Sequence, residues 1–209
     1  MSIKSVTVGL IIVSVLWCVL FTPFSESFTQ IYFWLMMSVS AILLISFCLL
    51  PFVEYDWTEL KDFSWKSVVV GLLSAAVLYG IFYVGNYVSS ALFDFARPQV
   101  MNIYGIKDSA DPVVIGVLLL FLIGPAEEIF WRGLIQRQSS ELLGNWFGPA
   151  FTALYYTAIH LFSMNIMLVA AAAVCSVFWG LLYKYYRNLP ALIISHAVWD
   201  VAVFVVFPI

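Results

Sequence analysis

Apolar residues in this chain gather into long runs separated by short polar stretches. The first run, Val6 to Phe21, follows Lys4. A basic start before such a run also opens a signal peptide, but no small-x-small cleavage site follows, so a retained span is expected. A short acidic loop, Ser25 to Gln30, leads to a second run from Ile31 to about Val53, long enough to cross a bilayer with some tilt. Glu54 to Lys66 is polar and interleaved with Tyr55, Trp57, Phe63 and Trp65, which suits a short helix anchored at the headgroup level. Asp56 with Glu59 three residues on predicts a capping box at its start. The third run covers Ser67 to Ala91, where Gly71, Ala75, Gly80 and Gly85 offer close helix contact.

Asp94 to Asp111 is the longest polar connection, and its sequence fits a surface segment and a lid equally well. Pro112 suits the first turn of a fourth span that continues to Arg137 and Glu141 and stops at Gly144. Within it, Gly124-Pro125 predicts a kink or local opening, because Pro125 cannot donate to the carbonyl of Phe121. The fifth run is Trp146 to about Phe162, the sixth Ile166 to Tyr186 and the last Leu192 to Phe207. The fold expected is therefore all-α: a single integral membrane domain over 1–209, a bundle of about seven transmembrane helices and roughly six to eight.

Composition agrees. The chain is 64% hydrophobic and 10% charged, with a mean hydropathy of +1.02, where soluble domains carry about 25% charged residues. Its net charge of −3 excludes a basic footprint for nucleic acid. Cys18, Cys48 and Cys175 lie inside apolar runs without a CxxC pairing, as small core residues do. With the N-terminus in the cytoplasm, Lys4, Lys61, Lys66, Arg137, Lys184 and Arg187 fall inside and only Arg97 and Lys107 outside, which fits the positive-inside rule. The compact length and the lack of organelle signals point to a bacterial plasma membrane.

Against this background a few ionisable residues stand out. Glu127, Glu128 and Arg132 lie well within the fourth span, where each charge costs roughly 2.5 to 3.5 kcal/mol. Glu128 and Arg132 are four apart and share a face, close enough to pair, while Glu127 is turned about 100° away and faces something else. Tyr156 and His160 share a face of the fifth span, and His196 and Asp200 a face of the last. Mutual pairing makes such a cluster tolerable in lipid, and it then supplies acid, base and cation within reach of one another. With the orientation above, these groups are expected to meet in the cytoplasmic half of the bilayer.

Glu127-Glu128-x-x-x-Arg132, aromatic-x-x-x-His160 and His196-x-x-x-Asp200, in that order, resemble the three-motif signature of the CAAX protease and bacteriocin-processing (CPBP, or Abi) family. These are intramembrane endopeptidases, and the catalytic motifs here fall within 124–200. Tyr156 stands where the family often has Phe, and Asp200 where it often has Asn. The resemblance implies a helical bundle whose cavity opens to membrane and cytoplasm. It also implies Glu127 with His160 as the water-activating pair, and His196 with the residue at 200 as oxyanion stabilisers. An ionised Asp200 cannot donate, so it is expected to act by holding His196 in its donating tautomer. Ser195 points about 100° away from His196 on a helix and is not indicated as a nucleophile.

The expected catalytic set is thus Glu127, Glu128, Arg132, His160, His196 and Asp200, acting on a hydrophobic, lipidated or membrane-anchored peptide that enters from membrane or cytoplasm. No cofactor is required by a glutamate mechanism. Two His plus Glu nevertheless keep zinc open as an alternative. The same residue types also build proton relays in transporters, although no inverted repeat accompanies them, and a non-catalytic scaffold is the third reading.

Overall fold

The computed structural model describes residues 3–21, 26–106 and 110–209. It is 87% helical, with no strand among the described residues. Eight helices follow in order: α1 (Ile3–Phe21), α2 (Glu26–Cys48), α3 (Trp65–Leu92), α4 (Ala96–Gly105), α5 (Pro112–Leu143), α6 (Phe147–Ile159), α7 (Ile166–Tyr186) and α8 (Leu189–Val206). Five of them, α1, α3, α5, α7 and α8, are long and apolar enough to cross a membrane. Tyr32–Cys48 of α2 is a shorter apolar stretch. Helix α6 has 13 residues and tightens into a 3-10 turn, His160–Ser163. Every run expected to span is helical, and the chain is an all-α polytopic bundle.

The helix ends follow local chemistry. Ser64 caps α3 by accepting from the Ser67 amide, and the Ser67 hydroxyl accepts from the Ser64 amide in return. Asn188 caps α8, which therefore starts ahead of Pro190 rather than after it, since proline is tolerated in a first turn. Gly144 ends α5 at φ 93°, a left-handed conformation that other residues adopt at a cost. Helix α2 already begins at Glu26, because nothing in Ser-Phe-Thr-Gln breaks a helix; Ser25 lies outside the described residues.

Three differences in detail from the sequence reading shape the site. First, the capping box at Asp56 and Glu59 does not form. Asp56 accepts from the amide and hydroxyl of Thr58, contacts that hold its carboxyl below the usual range. Glu59 instead takes the Tyr183 hydroxyl at 2.7 Å. Second, the kink or local opening expected at Gly124-Pro125 takes the form of a widened turn just ahead of it, and α5 runs on through Pro125. The turn before it, Leu119–Ile123, is widened to π geometry, with the Gly124 amide bonding to the Leu119 carbonyl. A second π stretch covers Ile129–Gln136, and such bulges are frequent at functional sites. Third, of the four small residues in α3 only Gly71 and Ala75 pack closely. A Cβ on Gly71 would stand 2.7 Å from Ile194 of α8, whereas one on Gly80 or Gly85 would meet nothing within 4 Å. Helix α3 is pressed onto α8 in its first half; in its second, Phe82 still packs on Trp199 while most residues are exposed.

One face of the bundle is closed by the segment after α2. The Ser5 hydroxyl bonds to Phe52 O, the Arg137 guanidinium and the Gln138 amide to Glu54 O, and the Asn188 amide to Asp62 O. Above this floor the fully buried Phe130, Trp131, Leu134 and Ile135 fill the space between α1, α2 and α6. The opposite face is covered by α4, whose Gln99 holds Asn165 and Met167 at the start of α7. Within the 94–111 connection, Ala96–Gly105 is thus a surface helix tied to the start of α7.

Candidate active site

Helix α5 meets α8 at Gly124. A side chain there would stand 3.0 Å from the Ala197 Cα, so the absence of one lets the two backbones come together. This approach sets His196, next to Ala197, against the carboxylates one turn below Gly124. The His196 Nδ1 lies 2.7 Å from Glu128 Oε1, and the same oxygen accepts from Arg132 Nη1 at 2.9 Å. All three side chains are buried, with Glu128 fully so. Aromatic faces complete the enclosure. Trp179 of α7 stacks on His196 at 3.9 Å between ring centres, and the Arg132 guanidinium lies 5.5 Å from that indole and 5.6 Å from the Tyr156 ring. A cation between two rings in a dry site gains about 0.5 to 2 kcal/mol from each.

Glu127 turns the other way, as the one-residue helical step requires. Its Oε2 accepts from the Tyr156 hydroxyl at 2.8 Å. The backbone carbonyl of that same Tyr156 accepts from His160 Nδ1 at 2.7 Å, which places the proton of the neutral ring on Nδ1. Nε2 then accepts a longer bond, 3.3 Å, from the Trp17 indole N–H of α1. Tyr156 therefore links the glutamate and the first histidine, while Trp17 holds the histidine from the far side.

Glu127, Tyr156, His160, His196 and Asp200 all line one cavity of about 580 Å³. The rest of its wall is nearly all aliphatic and aromatic, including Trp34, Phe82, Ile123, Ala171, Trp199 and Phe204. Glu128 and Arg132 sit behind this wall. Each of the six expected residues is at most 7% exposed, so the charges are inside the bundle and none is turned to lipid.

Residues 109–202 match the family model described as type II CAAX prenyl endopeptidase Rce1-like. Over that segment, a little under half of the chain, it is similar to the Rce1-like family. No curated protein and no solved structure matches the chain. The match falls on the same stretch as the three motifs that resemble the CAAX protease and bacteriocin-processing family.

Within this segment His196 meets two carboxylates, one of which the spacing did not indicate. The carboxylate bonded to His196 Nδ1 is Glu128. Asp200 Oδ2 lies 3.5 Å from Nε2, the nitrogen on the cavity side. Ser195 is fully buried and its hydroxyl accepts from the Trp179 indole at 3.0 Å, a packing role. The residues named for the zinc alternative are otherwise engaged. Every imidazole nitrogen faces a protein partner, the inner glutamate oxygen is shared by Arg132 and His196, and no group of three His, Cys, Asp or Glu among the described residues is placed to hold a metal. Trp17 lies outside the Rce1-like segment, and Trp179, though inside it, belongs to none of the three motifs; in the sequence both read as ordinary apolar positions. Their only signal was a Trp inside a span rather than at its end, where the interface draws it.

Proposed function

We propose that this chain cleaves peptide bonds within the membrane by a metal-free mechanism in which Glu127 activates water. The observation that carries the reading is the division of labour between adjacent carboxylates. Glu128 is committed to Arg132 and His196, whereas Glu127 faces a cavity shared with both imidazoles. A water between Glu127 and His160 gives its proton to the glutamate as its oxygen attacks the scissile carbonyl. Tyr156 keeps the carboxylate aimed through the hydrogen bond to Oε2. His160 orients the same water through Nε2, the nitrogen held by the longer indole bond and the one a water exchanges into.

As the carbonyl oxygen becomes an oxyanion, it needs a donor. His196 supplies one from Nε2 when a proton resides at the Nε2–Asp200 contact, with Glu128 fixing the ring through Nδ1. The proton taken by Glu127 is then passed to the departing amine, the C–N bond breaks, and the carboxylate is restored. The apolar wall selects a hydrophobic, lipidated or membrane-anchored peptide, whose uncharged flanks replace lipid contacts without loss.

The test is quantitative analysis of membrane peptides from cells carrying the wild-type chain or Glu127→Gln, followed by in vitro cleavage of the precursor that accumulates. General-base loss removes about 10²- to 10⁴-fold of rate. A Glu127→Gln chain that processes the precursor at the wild-type rate would overturn the proposal.

A further inference from the structure

The cavity has a direction. Beyond the residues of α5, α6 and α8, its lining comes mainly from the C-terminal ends of α1 and α3, the N-terminal halves of α2 and α7, and from α4. These ends lie on one face, because α4 ties them together: Trp34 of α2 donates to Ile106 O, and Gln99 of α4 bonds to Asn165 and Met167. Residues at its edge, such as Ile81, Phe93, Phe95 and Ile166, are exposed. None of the lining comes from the face closed by residues 50–66. On that closed side Glu128 and Arg132 lie behind His196, and beneath them the floor is sealed by the bonds of Arg137, Gln138, Tyr183 and Asn188 to the segment after α2.

Charge identifies the two faces. Lys4, Lys61, Lys66, Arg137, Lys184 and Arg187 all lie at helix ends or in loops on the closed face, while Arg97 is the basic residue on the open face among those described. Cytoplasmic surfaces carry the excess of Lys and Arg. We infer that the peptide substrate enters this site from the outer leaflet, through the half of the bundle roofed by α4, and that the cytoplasmic face is shut. This route departs from the expectation of a cavity open to the cytoplasm. The identity of the occupant rests on the protease reading above; the side of access does not.

A second observation bears on the same half. Asn86 of α3 lines the cavity and its carboxamide oxygen is buried without a hydrogen-bond partner. A lone acceptor on a lipid-embedded helix is costly unless a donor comes to it. A backbone N–H of an extended peptide threading toward Glu127 is such a donor. The open space beside Gly85, one residue earlier, leaves room for the peptide main chain.

The experiment is cysteine accessibility in the full chain, with Cys18, Cys48 and Cys175 replaced by Ala. Single reporters are Ser89→Cys in the cavity, Arg97→Cys on α4 and Lys61→Cys on the closed face. Val100→Cys serves as a second cavity reporter if Ser89→Cys fails to accumulate. A membrane-impermeant maleimide is applied to sealed spheroplasts and to inverted membrane vesicles. The cavity reporter and Arg97→Cys are expected to react in spheroplasts and be protected in inverted vesicles, with Lys61→Cys showing the reverse. A cavity reporter that reacts only in inverted vesicles, or in neither preparation, overturns the inference, as does a Lys61→Cys chain labelled from outside. The same labelling is run in the Glu127→Gln chain. A reversed pattern with cleavage intact defeats the access route alone, and the expected pattern with undiminished Glu127→Gln cleavage defeats the chemistry alone.

Discussion

Removing the Arg132 guanidinium tests whether the cluster is held as a dry ionic network. Its Nη1 donates to Glu128 Oε1 at 2.9 Å, with the two side chains 1% and 0% exposed. His196 Nδ1 shares that oxygen, and the Tyr156 and Trp179 rings flank the cation. Replacement by Met keeps the volume of the stem but leaves Glu128 a buried charge opposed only by an imidazole. Breaking a buried pair from one side costs about 3 to 5 kcal/mol, most of it the stranded partner rather than the lost attraction. Arg132→Gln retains a neutral donor and should recover about 1 kcal/mol of this. The assay is unfolding in mixed micelles on titration with a denaturing detergent, followed by tryptophan fluorescence. Adding Glu128→Gln to Arg132→Met removes the stranded charge, so the double variant should be more stable than the Met variant alone. An Arg132→Met chain within about 1 kcal/mol of wild type would refute the reasoning, since only a solvated pair is worth so little.

Three further outcomes follow from the geometry. Tyr156→Phe deletes the donor to Glu127 but keeps the ring against Trp131 at 5.0 Å. A bond to a charged group is worth about 1.5 to 3 kcal/mol, so kcat should fall by about tenfold or more with KM nearly unchanged; equal kcat in steady-state cleavage would show that the hydroxyl does not aim the carboxylate. His196→Ala should lower kcat by about 10²- to 10³-fold, the usual loss for one oxyanion donor, and a drop confined to KM would remove it from that role. Glu59→Ala releases the acceptor of Tyr183 and Arg187; hydrogen exchange of residues 54–62 should then quicken while that of α8 stays unchanged, and an unaltered 54–62 would mean that the floor is held without this latch.

Much of the molecule was legible before any coordinates. The bilayer demands unbroken apolar length, so Val6–Phe21, Ile166–Tyr186 and the other runs marked the helices, with ends displaced by a few residues where a cap such as Asn188 reached past a proline. Helical geometry also decided whatever lies within a single helix. The Glu128–Arg132 pair, the turning of Glu127 away from it and the shared face of Tyr156 and His160 all follow from 3.6 residues per turn.

What passes between helices was not available from spacing. That Glu128 bonds His196 Nδ1, that Trp17 and Trp179 clasp the two histidines, and that α4 roofs the cavity all depend on crossing angle, depth and rotation. Those are set by close packing at points such as Gly124 on Ala197 and Gly71 on Ile194. In lipid, where every helix face is about equally content with an acyl chain, it is shape that chooses neighbours. Sequence therefore marked which residues could do chemistry, and the fitting of one helix against another decided which of them touch.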